Sequence, residues 1–117
     1  MKNILEVKSF ELALVIVALS KVLKDKKEHV LSRQLLRSGT AVGALIREAQ
    51  NAESKKDFIH KLAIAQKECD ETNYWLDLLI ASKIIENKDF IEAKQLSKEI
   101  LKMIRSAIIT SKKSLQK

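Results

Sequence analysis

Two carboxylates three residues apart, Glu68 and Glu71, are the side chains in this 117-residue sequence best suited to chemistry. Paired carboxylates divide acid and base work when their surroundings push their pKa values apart. On a helix, that spacing sets both on one side, with Ile64 and Trp75. Like charges so placed repel by roughly 0.2–0.5 kcal/mol, and a cation is expected beside them. Arg33, Arg37 and Arg47 are the candidates, and Arg37 is favoured because it adjoins Gly39. The leading reading is a structural cluster of Arg37, Glu68 and Glu71, shielded by Trp75, that fixes helix register. A solvated face ranks second and acid–base catalysis third.

The other reactive side chains carry less. His29 and His60 stand in different segments with no HExxH, CxxC or carboxylate spacing around them, so no metal site is expected. The serines lack a nucleophile-elbow setting. Cys69 reads as a small buried apolar residue rather than a nucleophile, and a single cysteine fits a reducing compartment. Gly39 and Gly43 are the only glycines, inside SGTAVGALIREAQ, where apolar residues recur at helical spacing. A phosphate cradle would need a loop after a strand and a GK[ST] ending, and neither is present. Four residues apart on one helix face, the pair reads as a packing notch. It would admit a neighbouring backbone or a bulky side chain such as Trp75. No cofactor and no enzymatic activity are expected.

These residues need helices to hold them. The chain has no proline and is rich in Ala, Leu, Ile, Lys and Glu, so the class is all-α. Polar breaks at KDKKEH, NAESKKD and ENKD divide it into helices over about 4–24, 29–52, 55–85 and 89–115. Ser54 or Asp57 would cap the third helix, and Asn87 or Asp89 the fourth. Connections this short predict an antiparallel up-down-up-down four-helix bundle in one domain, 1–117. Phe58, Leu62, Ala65, Cys69, Thr72, Leu76 and Leu79 alternate steps of four and three, the spacing of a bundle seam. In the first helix, LALVIVAL is apolar in every direction, more than one bundle position can bury. A homo-oligomer is therefore expected, with Leu12, Val15, Val17 and Leu19 as candidate contacts. Eight apolar residues are too few to cross a bilayer, and no signal-peptide pattern opens the chain. The reading is a cytoplasmic protein without membrane attachment.

The charge is uneven. The chain carries +7 overall, and residues 87–117 hold eight Lys/Arg against three Asp/Glu. At about 100° per residue, Lys94, Lys98, Lys102, Arg105, Lys112 and Lys113 fall within roughly one 100° arc. This reads either as a solvated face or as a stripe that binds phosphates without reading bases. No aromatic residue interleaves with it, so base stacking on the stripe is not expected. Lys21 and Lys24 of the first helix extend this surface or form a second one.

The stretches LLRSGTAVGALIREAQ and ESKKDFIHKLAIAQKECDETNYWLDLL, within about residues 30–82, resemble the family of proteins encoded in intervening sequences of bacterial 23S ribosomal RNA. That family is also labelled S23 ribosomal proteins. Arg37-Ser38, the small residues before Ile46 and Glu48, and Glu68–Glu71–Trp75-Leu76 carry the likeness. Leu45 departs from it, since the family often has Asn there. The resemblance implies an antiparallel four-helix bundle assembled into a ring-like homopentamer. A related branch, the accessory proteins of diversity-generating retroelements, implies nucleic-acid binding and a reverse transcriptase as partner. The alternative is a structural or protein-interaction module that binds no RNA or DNA.

Overall fold

The first helix, α1 (Ile4–Asp25), begins where the Asn3 side chain accepts from the backbone N–H of Glu6 at 2.8 Å. It ends in a Lys27 of left-handed conformation, φ 65°, with the Glu28 N–H returning to the Leu23 carbonyl at 2.9 Å. This is the capping geometry that glycine usually supplies. The computed structural model describes residues 3–84 and 88–116, except the side chain of Asp89, and places three more helices: α2 (His29–Gln50), α3 (Lys55–Ser82) and α4 (Lys88–Leu115). Among the described residues there is no strand.

At the start of α3, Ser54 and Asp57 act together. The Ser54 hydroxyl accepts from the Asp57 N–H at 3.0 Å, and Asp57 Oδ2 accepts from the Glu53 N–H at 3.2 Å. This reciprocal arrangement satisfies two donors at the helix entrance. The helix stops at Ser82, three residues short of the boundary expected from the apolar run. Lys83 takes φ 56° there, and Ile84 packs against the core beyond the turn. Asn87 and the side chain of Asp89, the expected caps of α4, lie outside the described residues.

The helices pack in chain order, α1 on α2, α2 on α3 and α3 on α4, and α4 closes more thinly onto α1. The molecule measures 51 × 24 × 21 Å. Leu12, Ile16 and Leu23 from α1 meet Leu35, Val42 and Ile46 from α2, Leu62, Leu76 and Leu79 from α3, and Phe90, Ile100 and Ile104 from α4. Each such side chain stabilises the fold by about 1.5–3 kcal/mol on burial. The α3 seam is buried from Leu62 to Leu79, with Phe58 half-buried at its edge.

Buried hydroxyls join the layers. Ser32 Oγ donates to the Ser20 carbonyl at 2.7 Å, and Ser38 Oγ shares a hydrogen bond of 3.0 Å with Thr72 Oγ1. Gly39 faces Ile16, and Gly43 faces the backbone of Ser9. The notch on α2 is thus filled by α1. Trp75 does not occupy it, because α3 packs on a different side of α2.

Candidate nucleic-acid interface

The core seam of α4 runs through Phe90, Ala93, Ser97, Ile100, Leu101, Ile104 and Ile108, and this sets which way its cations point. Lys98, Lys102, Arg105, Lys112 and Lys113 are exposed, and among the described residues none forms an ion pair. Lys94 differs from them. Its ammonium donates to Asp77 Oδ2 at 3.0 Å and to the Asn73 carbonyl at 3.3 Å, and its side chain is only 13% exposed. It lies at the α3 edge of the arc and is used to hold α4 against α3, so it drops out of the free stripe.

Lys55 Nζ reaches Ser114 Oγ at 3.3 Å, which sets the end of α4, with Lys112 and Lys113, beside the start of α3. Lys21 and Lys24 are exposed near the opposite end of α2, where Ser20 meets Ser32. The length of α2, about 33 Å at 1.5 Å per residue, separates the two groups. Lys21 and Lys24 therefore do not adjoin the Lys112–Lys113 end.

Sequence reasoning missed one neighbour of the stripe. Tyr74 of α3 is 58% exposed and lines a groove with Asp70, Asn73, Asp77, Lys94, Lys98, Leu101 and Arg105. An aromatic ring therefore does stand beside the cations, supplied across the helix interface rather than by α4 itself. The signal was the spacing of Asp70, Tyr74 and Asp77 on one side of α3, but only pairing α3 with α4 makes it meaningful.

On the α2–α3 face, Arg37 Nη1 donates to both oxygens of Glu68, at 3.1 and 2.8 Å, while Nη2 meets Glu71 Oε2. That second oxygen is buried without a well-aligned hydrogen bond, so its pairing is a charge contact. Arg33 and Arg47 take no part in the cluster. Trp75, one turn beyond Glu71, is half-buried against the core and its indole N–H finds no partner among the described residues. Cys69 is buried, and its thiol donates to the Ser97 carbonyl at 3.3 Å. Loss of solvation raises its pKa to about 11, well away from a nucleophile's range.

The apolar run of α1 is not symmetric. Leu5, Ser9, Leu12, Ile16, Leu19, Ser20 and Leu23 face the core. Leu12 and Leu19 therefore lie inside the chain and no second subunit can touch them; Val15 is half-buried against the core. Of the four candidate contacts, Val17 alone is exposed. It extends an outward row, Val7, Phe10, Leu14 and Val17, whose steps of three, four and three repeat bundle spacing on the solvent side. Beside this row, Phe10, Ala13, Thr40, Gly43 and Ala44 line a groove of about 550 Å³ between α1 and α2.

An all-α bundle with one basic outer helix and an outward apolar row defines the class of protein. The chain matches the family described as 23S rRNA-intervening sequence protein over residues 2–106, and it belongs to that family. A crystal structure of a protein of unknown function from the S23 ribosomal protein family of Bacteroides thetaiotaomicron is similar, with 47% identity and a TM-score of 0.85. That likeness covers 90% of this chain and 98% of the other. No curated protein matches.

Proposed function

We propose that this chain is a non-enzymatic cytoplasmic subunit, an antiparallel up-down-up-down bundle, that assembles with copies of itself and holds the phosphate backbone of RNA or DNA without reading sequence. The observation carrying this reading is the row of exposed, unpaired Lys98, Lys102, Arg105, Lys112 and Lys113 along α4. Cations left free of intramolecular carboxylates are available to displace counterions from a polyanion.

Binding should weaken steeply with salt, with a log–log slope of roughly −0.7 to −0.9 per phosphate contacted. Long strands should bind more tightly than short ones, since an oligomer repeats the stripe. Replacing Lys98, Lys102 and Arg105 together with Gln should lower affinity and flatten the slope while the assembly stays intact. A folded protein that binds no long RNA or DNA at about 50 mM salt would reject the reading.

Self-assembly rests on the outward row of α1. Light scattering at micromolar concentration should give a multiple of the 13.3 kDa chain mass, and five copies in a ring is the number that the resemblance implies. Leu14→Glu or Val17→Glu should dissociate the assembly without unfolding the bundle. The same exposed row favours the second reading, a protein-interaction module with a partner such as a reverse transcriptase. Assembly or partner capture without nucleic-acid affinity would select it.

A further inference from the structure

We infer that the groove between α3 and α4 takes an unpaired base, so that this protein prefers single-stranded nucleic acid to a duplex, with the base stacked on Tyr74. The inference rests on the phosphate-binding reading above and adds the form of the ligand.

The groove is open to solvent along its length and has a volume of about 380 Å³, room for one base laid against Tyr74. Its composition is divided. On the α4 rim, Lys98 and Arg105 are two helical turns apart, with Lys102 exposed on the turn between them. Leu101, 8% exposed, forms an apolar floor. On the α3 wall stands Tyr74, between Asp70 and Asp77. Asn73, 6% exposed, lines the same groove and, among the described residues, keeps Oδ1 without a hydrogen-bond partner.

The carboxylates decide where each part of a strand goes. A phosphate seated in the groove would face Asp70, whereas one on the outer rim meets only Lys98, Lys102 and Arg105. The backbone is therefore directed along α4 and the base turns inward. A flat apolar face over a floor leucine and beside a tyrosine ring is what such a base requires. Duplex bases have both faces covered by their neighbours and gain nothing from Tyr74. Lys94, tied to Asp77 and to the Asn73 carbonyl, keeps α3 and α4 at the spacing that leaves the groove open.

The test compares three fluorescently labelled probes by anisotropy at about 50 mM salt: a single-stranded RNA, the duplex of the same sequence, and heparin, a polyanion without bases. The single strand should bind more tightly than the duplex. Tyr74→Ala should weaken the single strand by about 5- to 100-fold, the loss of one stacked base, and leave the duplex and heparin unchanged. Tyr74→Phe, which keeps the ring, should retain binding. The Tyr74 ring lies 5.1 Å from that of Trp75, edge to face, and Trp75 is the sole tryptophan. Its emission should therefore change on adding the single strand and not on adding heparin. Equal loss of all three probes in Tyr74→Ala would overturn the stacking inference and leave the phosphate reading standing, as would an unaltered single-strand affinity. Absence of binding to every probe would overturn both.

Discussion

The contact between Gly39 and Ile16 gives the sharpest prediction. A Cβ added at Gly39 would lie 2.7 Å from both Ile16 Cγ1 and Ile16 Cγ2, and 3.1 Å from Ile16 Cβ. Carbon atoms attract best at about 3.5–4.0 Å, so the new methyl enters the repulsive wall by nearly 1 Å. Ile16 has little freedom to yield, because a β-branched side chain in a helix holds one χ1 well, and turning it off-rotamer costs about 0.5–1.5 kcal/mol. Overpacking of this kind costs about 1–3 kcal/mol. Against it stands the helix propensity of alanine over glycine, worth about 1 kcal/mol. Gly39→Ala should therefore destabilise by up to about 2 kcal/mol, although an exposed helical glycine would gain from the same change. In an Ile16→Ala background both Cγ atoms are gone and only the 3.1 Å approach to Cβ remains, so most of the penalty should vanish and Gly39→Ala should come within about 1 kcal/mol of neutral. Urea denaturation followed by far-ultraviolet circular dichroism, at one fixed protein concentration, measures all four corners of the cycle. Additive effects, or a stabilised Gly39→Ala single variant, would refute the notch.

Three further outcomes follow from other sites. Arg37→Gln should destabilise by about 1 kcal/mol, since it leaves Glu68 and Glu71 facing each other; pairing it with Glu68→Gln should recover most of that loss, as read in the same urea assay. Burial holds the Cys69 thiol protonated up to about pH 11 in the fold, whereas an unfolded chain ionises near 9.0. Stability present below pH 9 is therefore lost as pH rises toward 11, by up to about 3 kcal/mol; Cys69→Ala should lose less over the same range, and iodoacetamide should label native Cys69 only on unfolding. Lys27→Gly should raise the thermal midpoint, adding up to about 1 kcal/mol, because glycine meets φ 65° without a Cβ penalty.

Helical periodicity made α3 legible almost throughout, because its buried positions from Leu62 to Leu79 are apolar or small, Asn73 excepted. In α1 the same periodicity was hidden. Its outward positions Leu14 and Val17 are as apolar as the inward Leu12, Ile16 and Leu19, so LALVIVAL reads as apolar in all directions and the buried Leu12 and Leu19 could not be told from the exposed Leu14. Spacing within one helix also fixes a face but not the neighbour. The repulsion between Glu68 and Glu71 called for a cation, and Arg37 meets them; nothing in α2 alone said that Ile16 and Ser9 would fill the glycine notch. Lys94 and Tyr74 share that cause. Each meets its neighbours on the opposite helix, Lys94 by reaching Asp77 and Tyr74 by lining a groove with Lys98 and Arg105.

The thin closure of α4 onto α1 has a dynamic consequence. Lys8 Nζ and Glu99 Oε1, 2.9 Å apart and both partly in solvent, supply one of the few polar ties across it. Opening begins where least is buried, so the α1–α4 seam parts first, and a helix released from the core on one side frays readily. The helix carrying the free cations is thus also the one whose amide hydrogens should exchange earliest. A polyanion lying along α4 would bind the intact helix better than a frayed one and slow that exchange. Ligand occupancy would then be recorded as protection of a single helix, with no change in the average shape of the molecule.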